Sequence, residues 1–506
     1  MRMHLRLAST ALFLITYLGI SSYFAYRFID RVKYHVYELN STKSKLSNIK
    51  NFVKRTTNSS NPVPKQLKKD VHLELKRFLE IDSFNDSIGG TISLTMKESM
   101  DQRQLSKIPE SDLFGNLSVR TSGKDSKSNI CKSFVSGNDK IRWRAMQKIK
   151  LRKIELSIVS DKNLSMMFND CDRIASFIKG PSQPIDKQGR PIAYSVLLNR
   201  PGHQTLQFLK AVYNSKNIYC LHVHSGATKR FYNLIKSISD CVDNIYLSPE
   251  RFKISLATFE RIEAHISCFR TLLNTTTPWR YLITLPGSVF PLRNNTFIGD
   301  YLEKRHYKNG LTFLDRTRES FIKRTKFVHQ KVKHPAGYEI FSRTKRRKSH
   351  APENITLFRS DSAFIATRGF VEFVINSSIA KKLLRWSKST KNPEEFYWAT
   401  LDRLPGTPGG TPYRPDDQYP ESPLNVEEDV QTSNENDLLA RLWKSQHAHK
   451  CGGVYTGNLC IYNYKDLRWL VGQDYLFADA FDLKVDFVAI SCLYRNLQRP
   501  LVRDFY

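Results

Sequence analysis

The chain has 506 residues, of which 40% are hydrophobic, and a formal net charge of +31. This length and composition exclude a single small domain and allow a sizeable buried core, so we expect a globular protein. The charge alone would be compatible with nucleic-acid binding. However, the N-terminal apolar segment, the cysteines and the glycosylation acceptors predict a compartment without chromosomal DNA, so no nucleic-acid partner is expected.

The N-terminus contains an almost uncharged segment, LRLASTALFLITYLGISSYFAY, from Leu5 to Tyr26. Its length is about what a helix needs to cross a bilayer core. The apolar run continues into aromatic residues and does not end at small residues, which favours an uncleaved anchor over a cleaved signal peptide. We expect residues 1–6 to form a short cytosolic tail and residues 7–26 a transmembrane signal anchor.

The basic residues on the two sides of this segment nearly balance, so the positive-inside rule does not orient it. Two other features do. All eight cysteines follow the anchor, an even number suited to an oxidising lumen. Asn-x-Ser/Thr acceptors for glycosylation also follow it, which supports a luminal body. They are Asn40, Asn58, Asn85, Asn116, Asn163, Asn274, Asn294, Asn354 and Asn376.

Residues 27–130 are rich in Lys, Ser and Asn, with one possible short helix, DVHLELKRFLEI at 70–81. This composition predicts a luminal stem that spaces the body from the membrane. The folded body is expected over 131–506. It begins with a helical pattern at 139–156, followed by a Pro/Gly-rich connection at 179–191.

The body continues with strand and helix patterns in alternation. Apolar runs at 192–199, 218–225, 241–248 and 279–287 predict strands, and the stretches 205–214 and 259–273 predict helices. This order predicts an α/β sheet that binds ligands at the carboxyl ends of its strands. No G-x-G-x-x-G follows the first strand and no internal repeat is present. Residues 310–356 give no clear order, and 404–423 are too rich in Pro and Gly for anything but a loop.

A concentrated basic stretch, KRTKFVHQKVKHPAGYEIFSRTKRRKSH, covers Lys323 to His350. It is compatible with a solvated basic loop. It is also compatible with binding of anionic glycans, membrane surfaces or nucleotide phosphates.

Two carboxylates, Glu394 and Glu395, follow Pro393 and open a segment of helical spacing, KNPEEFYWATLDRLPG. One interpretation is a helix start, where acidic residues are favoured. The other is a general base that the helix positions to take a proton from a hydroxyl group.

Metal ligands are sparse. The pairs His222 with His224 and His447 with His449 have the H-x-H spacing, but no third ligand stands at a telling distance. The single D-x-D flanks Cys171 and is a weak metal motif. The stretch CGGVYTGNLC at 451–460 has the spacing of neither a zinc knuckle nor a redox pair, which favours a short disulfide loop.

Several segments in this order resemble the core 2/I-branching β-1,6-N-acetylglucosaminyltransferases, glycosyltransferase family 14, of which the chain looks like a divergent member. The resemblance runs from about Cys131 to the C-terminus. It is carried by PIAYSVLLN, IYCLHV, CVDNIYLS, WRYLITLPGSVFPL, SAFIATRGFVEFVI, PEEFYWATLDRLPGTPG and CGGVYTGNLCIYNYKDLRWLVGQDYLFADAFDLKVDFVAISCL.

The resemblance implies a type II Golgi membrane protein with a luminal, GT-A-like α/β catalytic domain, a mixed sheet flanked by helices. It implies transfer of N-acetylglucosamine or a related sugar from a UDP-sugar to an O-glycan acceptor on glycoproteins, without a metal cofactor. It also implies four disulfides: Cys131 with Cys492, Cys171 with Cys241, Cys220 with Cys268, and Cys451 with Cys460.

By the same resemblance Glu395 is the catalytic base of an inverting transfer, and Glu394 has a helix-start role. Four donor-binding positions are matched but substituted. Gly457 stands for the family's arginine in the cysteine-bounded loop, Ala480 for its lysine, His224 for the acid of its HVD, and Val289 for the acid of its CGxDFP. Lys450, Lys465, Arg468, Lys484 or the basic stretch could compensate for the two lost cations.

Two other functions therefore stay open at this stage. The first is a catalytically weak or inactive homologue that acts as a luminal glycan-binding or partner protein. The second is an unrelated luminal binder of heparin-type chains built on the basic stretch.

Overall fold

The computed structural model describes residues 130–136, 139–151, 158–180, 189–254, 258–314, 319–333, 339–412, 438–447 and 449–498. The anchor expected at 7–26, the stem up to residue 129 and the possible helix at 70–81 lie outside these residues, as do 152–157, 181–188 and 413–423 of the predicted elements. Among the described helices, none is both long and apolar enough to cross a bilayer.

The described residues form one compact unit in which helices and short strands alternate. The strands are β1 (Ile192–Leu198), β2 (Ile218–Val223), β3 (Ile245–Leu247), β4 (Tyr281–Pro286), β5 (Phe290–Pro291), β6 (Phe313–Leu314), β7 (Phe327–Lys333), β8 (Glu339–Arg347), β9 (Arg359–Ser360), β10 (Ile365–Thr367), β11 (Leu439–Ala440), β12 (Val454–Thr456), β13 (Leu459–Ile461) and β14 (Phe477–Ala478).

The helices are α1 (Ile130–Ser136), α2 (Asp139–Leu151), α3 (Asp161–Met167), α4 (Cys171–Lys179), α5 (Gly202–Val212), α6 (Lys229–Cys241), α7 (Glu260–Leu273), α8 (Asn295–Glu303), α9 (Glu319–Lys326), α10 (Arg368–Asn376), α11 (Ser378–Ser387), α12 (Glu394–Asp402), α13 (Lys444–His447), α14 (Leu467–Val471) and α15 (Val488–Leu497). Two short 3-10 turns cover Pro352–Asn354 and Tyr464–Asp466.

A five-stranded sheet in the order β10-β4-β1-β2-β3 forms the centre. The four strands β1 to β4 are parallel, and β10 adds an antiparallel edge. All seven residues of β1 are buried, as expected for a strand covered on both faces. The strands predicted at 192–199, 218–225, 241–248 and 279–287 and the helices predicted at 205–214 and 259–273 are confirmed, so the chain folds as a mixed α/β protein.

Alternate residues of β1 enter two separate apolar layers, because successive side chains of a strand point to opposite faces. Tyr194 and Val196 join a layer formed with α3, α4, α5 and α6. Ala193 joins the opposite layer, in which α7, α10, α11 and α12 pack. The second layer therefore fixes α12, the helix that begins with Glu394.

Every cysteine is in a disulfide. The bonds join Cys131 to Cys492, Cys171 to Cys241, Cys220 to Cys268 and Cys451 to Cys460, the same four pairs that the resemblance implies.

The region 310–356, for which the sequence predicts no order, contains a β-hairpin. Strand β7 pairs antiparallel with β8 in a two-stranded sheet of its own. Its strands are rich in lysine and arginine and lack the regular apolar alternation by which half-buried strands are recognised. For this reason the sequence predicts no strand there.

Candidate active site

The carboxyl ends of β1, β2 and β4 meet at one edge of the sheet. Gly287, directly after β4, donates its N–H to the Leu197 carbonyl at 2.8 Å. A Cβ atom at Gly287 would lie 3.0 Å from that carbonyl oxygen and 3.1 Å from the Asn199 nitrogen, so the two chain segments approach too closely for a larger residue. This edge is where an open α/β sheet binds its ligands.

Glu395 lies in the first turn of α12 among positive and amide groups. Its Oε2 is 3.0 Å from the guanidinium of Arg324 and 3.5 Å from Nε of Arg359. Its Oε1 accepts a hydrogen bond of 2.7 Å from the side-chain amide of Asn392. The side chain keeps 22% of its surface exposed. The carboxylate is thus fixed in position and still open to an incoming hydroxyl group.

Glu394 has a different environment. It is buried and ion-paired with Arg261, whose Nε is 3.4 Å from Oε1. Burial raises the pKa of the Glu394 carboxyl, an effect that Arg261 partly opposes. The side chain points into the protein, which fits the helix-start role that the sequence predicts.

Three aromatic residues behind Glu395 hold α12 in place. Phe396, Tyr397 and Trp398 are all fully buried. Trp398 packs against Phe364 with ring centroids 5.0 Å apart. This anchoring limits how far the first turn of the helix can move.

Gly457 and Ala480, the positions where the family resemblance implies an arginine and a lysine, lie on and beside one small hairpin formed by β12 and β13. Gly457 forms its tip with φ +61°, and a side chain there would meet open space. Ala480 is buried against the other end, where its N–H donates to the Cys460 carbonyl at 3.3 Å and its carbonyl accepts from Tyr462 N–H at 2.9 Å. The Cys451–Cys460 bond closes this hairpin, which we call the clip.

The other two donor-binding candidates are engaged within the protein. His224 accepts a hydrogen bond from Gly226 N–H at Nδ1 (2.7 Å), and its Nε2 lies 2.9 Å from the Ile254 carbonyl. Val289 is buried in the first apolar layer. Neighbouring Ser288 donates its hydroxyl to Asp479 at 2.5 Å, so the segment after β4 is joined to the residue before Ala480.

Arg441 sits between two carboxylates beside the clip. One of its terminal nitrogens contacts both carboxylate oxygens of Asp361, and the other pairs with Asp479 at 2.8 Å, while its side chain is 9% exposed. Burial is the largest influence on the pKa of the Asp361 carboxyl and would raise it, but Arg441 reverses the effect and the pKa is lowered. No sequence pattern points to this cluster, because its members are far apart in the chain.

A three-residue segment joins the two parts of the site. Arg359 contacts Glu395, and Asp361, two residues on, contacts Arg441. An extended chain advances about 3.3 Å per residue, so the two clusters are attached to backbone positions no more than about 7 Å apart.

Cations at the sheet edge were also missed. Arg200 follows β1 and pairs with Asp482 at 2.5 Å. Arg251 donates to the His224 carbonyl at 3.0 Å and lies over the Tyr232 ring. The position of Arg200 directly after a predicted strand was the signal that could have found it.

The compensating cations suggested by the sequence are at the surface. Lys465 and Arg468 line a shallow cleft with Arg142, and Lys450 and Lys484 are exposed. Within the described part of the chain, none of the four forms a hydrogen bond with Gly457 or Ala480.

The metal candidates do not come together. Among the described residues, no group of three or more His, Cys, Asp or Glu side chains could hold an ion. His222 is buried, accepts from Phe252 N–H, and has its pKa lowered to about 4 by burial first and by nearby His224 and Arg251. Asp170, the first acid of the D-x-D, caps α4 by accepting from Arg173 N–H.

The glycosylation candidates differ in exposure. Asn274, Asn354 and Asn376 are exposed and Asn294 is half-buried. Asn163 is buried, with 7% of its surface exposed, so a glycan attached there is incompatible with this packing. The remaining candidates, Asn40, Asn58, Asn85 and Asn116, lie outside the described residues.

The chain is similar to one protein family and to individual members of known activity name. The family model described as "Core-2/I-Branching enzyme" matches residues 192–471, which include the sheet, Glu395 and the clip. The Danio rerio protein named beta-1,3-galactosyl-O-glycosyl-glycoprotein beta-1,6-N-acetylglucosaminyltransferase 4 is 32% identical over 317 residues, 62% of this chain and 71% of the relative. The Rattus norvegicus protein with the same activity name and the number 3 is 28% identical over 423 residues, 81% of this chain and 92% of the relative.

Proposed function

Since the chain belongs to the Core-2/I-branching enzyme family, we propose that it is a glycosyltransferase that moves N-acetylglucosamine, or a related sugar, from a UDP-sugar to an O-glycan hydroxyl in a β-1,6 branch. The observation that carries this proposal is the position of Glu395, fixed in the first turn of α12, partly exposed, and joined through Arg359 and Asp361 to the clip.

In the proposed reaction, Glu395 takes the proton of the acceptor hydroxyl as its oxygen attacks C1 of the donor sugar. The bond from C1 to the UDP oxygen breaks on the opposite face, so the anomeric configuration inverts. The hydrogen bond from Asn392 and the ion pair with Arg359 orient the carboxylate. Proton transfer of this kind typically contributes a factor of about 10² to 10⁴ to the rate.

The departing diphosphate requires positive charge, since it gains charge in the transition state. We propose that side-chain cations supply it without a metal. Arg200 and Arg251 are the best placed, because they stand at the carboxyl ends of β1 and β2. Gly457 and Ala480 contribute no charge, so the donor would be held differently from the arrangement that the family resemblance implies.

The test is carried out with the purified full-length chain in detergent. Binding of UDP-N-acetylglucosamine and other common UDP-sugars is measured by calorimetry, and transfer to a Galβ1,3GalNAc-type acceptor by release of UDP. Glu395→Gln should lower transfer by about 10² to 10⁴ and leave UDP affinity within about twofold. Glu394→Gln, the same change at the neighbouring residue, should have a much smaller effect on transfer.

Unchanged turnover of Glu395→Gln would refute the base assignment. A folded protein that binds none of the UDP-sugars would refute the transferase proposal as a whole.

A second candidate function is that of a catalytically inactive homologue that binds glycans or a partner protein. It is favoured by one observation: the clip offers no cation at Gly457 or Ala480, and the residue before Ala480 is a buried acid, Asp479. Glycan binding without UDP-sugar binding would select this function.

We further propose a single-pass type II arrangement in the Golgi membrane, with the anchor at 7–26, the stem at 27–130 and a GT-A-like catalytic domain at 131–506 in the lumen. Protection of exposed Asn274 and Asn354 glycans from enzymatic removal in sealed microsomes, and their removal after detergent, would test it.

A further inference from the structure

The hairpin of β7 and β8 carries a dense group of exposed cations at one end. Lys345, Arg346 and Arg347 are consecutive and exposed on β8. Lys326 ends α9 and is also exposed, and its carbonyl accepts from Lys348 N–H at 3.0 Å. These four residues, Lys326, Lys345, Arg346 and Arg347, are called the basic platform.

The basic platform has no acidic partner in the described part of the chain. Elsewhere in the same segment, cations are paired: Lys323 contacts Glu319, and Lys331 is 2.6 Å from Glu260. No described carboxylate lies within ion-pair distance of the platform residues. Four cations that are close in the fold and lack an acidic partner repel one another, and a bound anion would relieve this repulsion.

The hairpin is also fixed to the body, which distinguishes it from a freely solvated loop. Lys348 turns inward and donates to the Trp386 carbonyl at 2.6 Å and to the Ser389 hydroxyl at 2.7 Å. On the other strand, His329 N–H donates to the Ser389 carbonyl at 2.8 Å. The platform therefore lies at an end of the hairpin that is held against the body.

This surface is close to the candidate base. Ser389, to which the hairpin is anchored, precedes Asn392, the residue that bonds Glu395. Arg324, two residues before Lys326 in α9, contacts Glu395 directly. A chain bound on the platform would thus lie beside the Glu395 region.

We propose that the basic platform binds an acidic glycan chain through its sulfate or carboxylate groups. Guanidinium groups match both anions in bidentate geometry, and four cations at one end of a hairpin suit a ligand with repeated negative charges. A membrane is the less favoured ligand, because anionic lipids are concentrated in the cytoplasmic leaflet and the body is proposed to be luminal. Binding of this kind does not depend on sugar transfer.

The test measures affinity of the full-length chain in detergent for heparin, by surface plasmon resonance at about 0.15 M salt. The triple variant Lys345→Ala, Arg346→Ala, Arg347→Ala should bind about tenfold more weakly or worse. The matched control Lys229→Ala, Arg230→Ala, Lys236→Ala removes the same charge from α6, in the opposite layer, and should bind like the parent. Arg346→Ala alone should give an intermediate loss, which keeps the test valid if the triple variant does not fold.

Equal losses in the two triple variants would overturn the proposal, since net charge alone would then explain binding. No loss of affinity in the platform variant would also overturn it. Binding to phosphatidylserine vesicles without binding to heparin would also overturn it. Chemically desulfated heparin separates the two anions: retained affinity assigns the carboxylates and lost affinity the sulfates, and both results support an acidic glycan. UDP-sugar binding, measured on the same variants, is expected to be unchanged, so failure here is distinguishable from failure of the transferase proposal.

Discussion

The cluster around Glu395 and the cluster around Arg441, beside the clip, arrange their charges in opposite ways. At Glu395, one carboxylate stands between two guanidinium groups; at Arg441, one guanidinium stands between two carboxylates. The first group carries an excess of one positive charge and the second an excess of one negative charge. A diphosphate would be attracted to the first kind of site and repelled by the second.

The two groups also differ in exposure. The Glu395 side chain is 22% exposed, whereas Arg441 is 9% exposed and its partners Asp479 and Asp361 are 4% and 24% exposed. Removing one partner of a buried ion pair destabilises a protein strongly, because the remaining charge has no water to solvate it. The comparison indicates that the Arg441 cluster stabilises the fold and that the Glu395 cluster positions a reactive group.

The strongest way to break this comparison is to remove Arg441. Arg441→Met leaves the buried Asp479 and the half-buried Asp361 without their cation and should lower the free energy of unfolding by about 3 kcal/mol. Urea denaturation followed by circular dichroism measures it. Glu395→Gln serves as the control and should change stability by less than about 1 kcal/mol, since the Glu395 side chain is itself more exposed than that of Arg441. Equal losses in the two variants would contradict the assignment of different roles.

A second test uses two buried carboxyl groups, one at the end of α12, the helix that carries Glu395, and one just before α15. Burial raises the pKa of Asp486, beside α15, to about 7, and that of Asp402, at the end of α12, to about 6. Each group binds protons more readily in the folded protein than in the unfolded chain, where its pKa is about 3.9. The stability that each protonated carboxyl contributes is therefore present at acid pH and is lost as pH rises through the folded pKa.

We expect Asp486→Asn to flatten the pH dependence of the free energy of unfolding between about pH 5 and pH 7, by up to about 1.4 kcal/mol per pH unit. Asp402→Asn should act in a lower window that ends near about pH 6. Urea unfolding at several pH values measures both slopes. The stability of the parent protein could instead rise between about pH 5 and pH 7, with the same slope in both variants. That result would show that these two carboxyls do not govern the pH dependence of stability.

The smallest expected effect comes from returning one cation to the clip. Gly457→Arg should tighten UDP binding by about tenfold, because a side chain at this position meets open space at the hairpin tip. The positive φ of Gly457 should cost about 1 kcal/mol of stability in any variant with an unbranched long side chain, such as Arg or Gln. Gly457→Gln is the matched control, with a similar length and backbone cost but no charge. Equal affinities of the two variants would mean that the clip does not face the diphosphate.

Much of the fold was predictable because its signals are local. Buried parallel strands such as Ile192–Leu198 are continuous apolar runs, and the helix that starts at Glu394 begins after a proline with acidic residues in its first turn. The four disulfides could be paired only through the family resemblance, because their spacing alone allows many connectivities.

The surroundings of the site were less predictable because they depend on contacts between distant residues. The sequence pointed to Glu395 but not to Arg324 or Arg359, which are 71 and 36 residues away in the numbering and meet it only in the folded chain. Arg441 was hidden for the same reason: Asp361 lies 80 residues before it. Side-chain pairs of this kind have no fixed spacing, and only tertiary structure brings them together.

The bond between Cys131 and Cys492 spans 361 residues and ties the first described helix to the last. A single break in the backbone anywhere between these two cysteines therefore cannot separate the resulting fragments. Proteolytic nicking of the body would go unseen on a non-reducing gel and would appear as two fragments only after the disulfides are reduced.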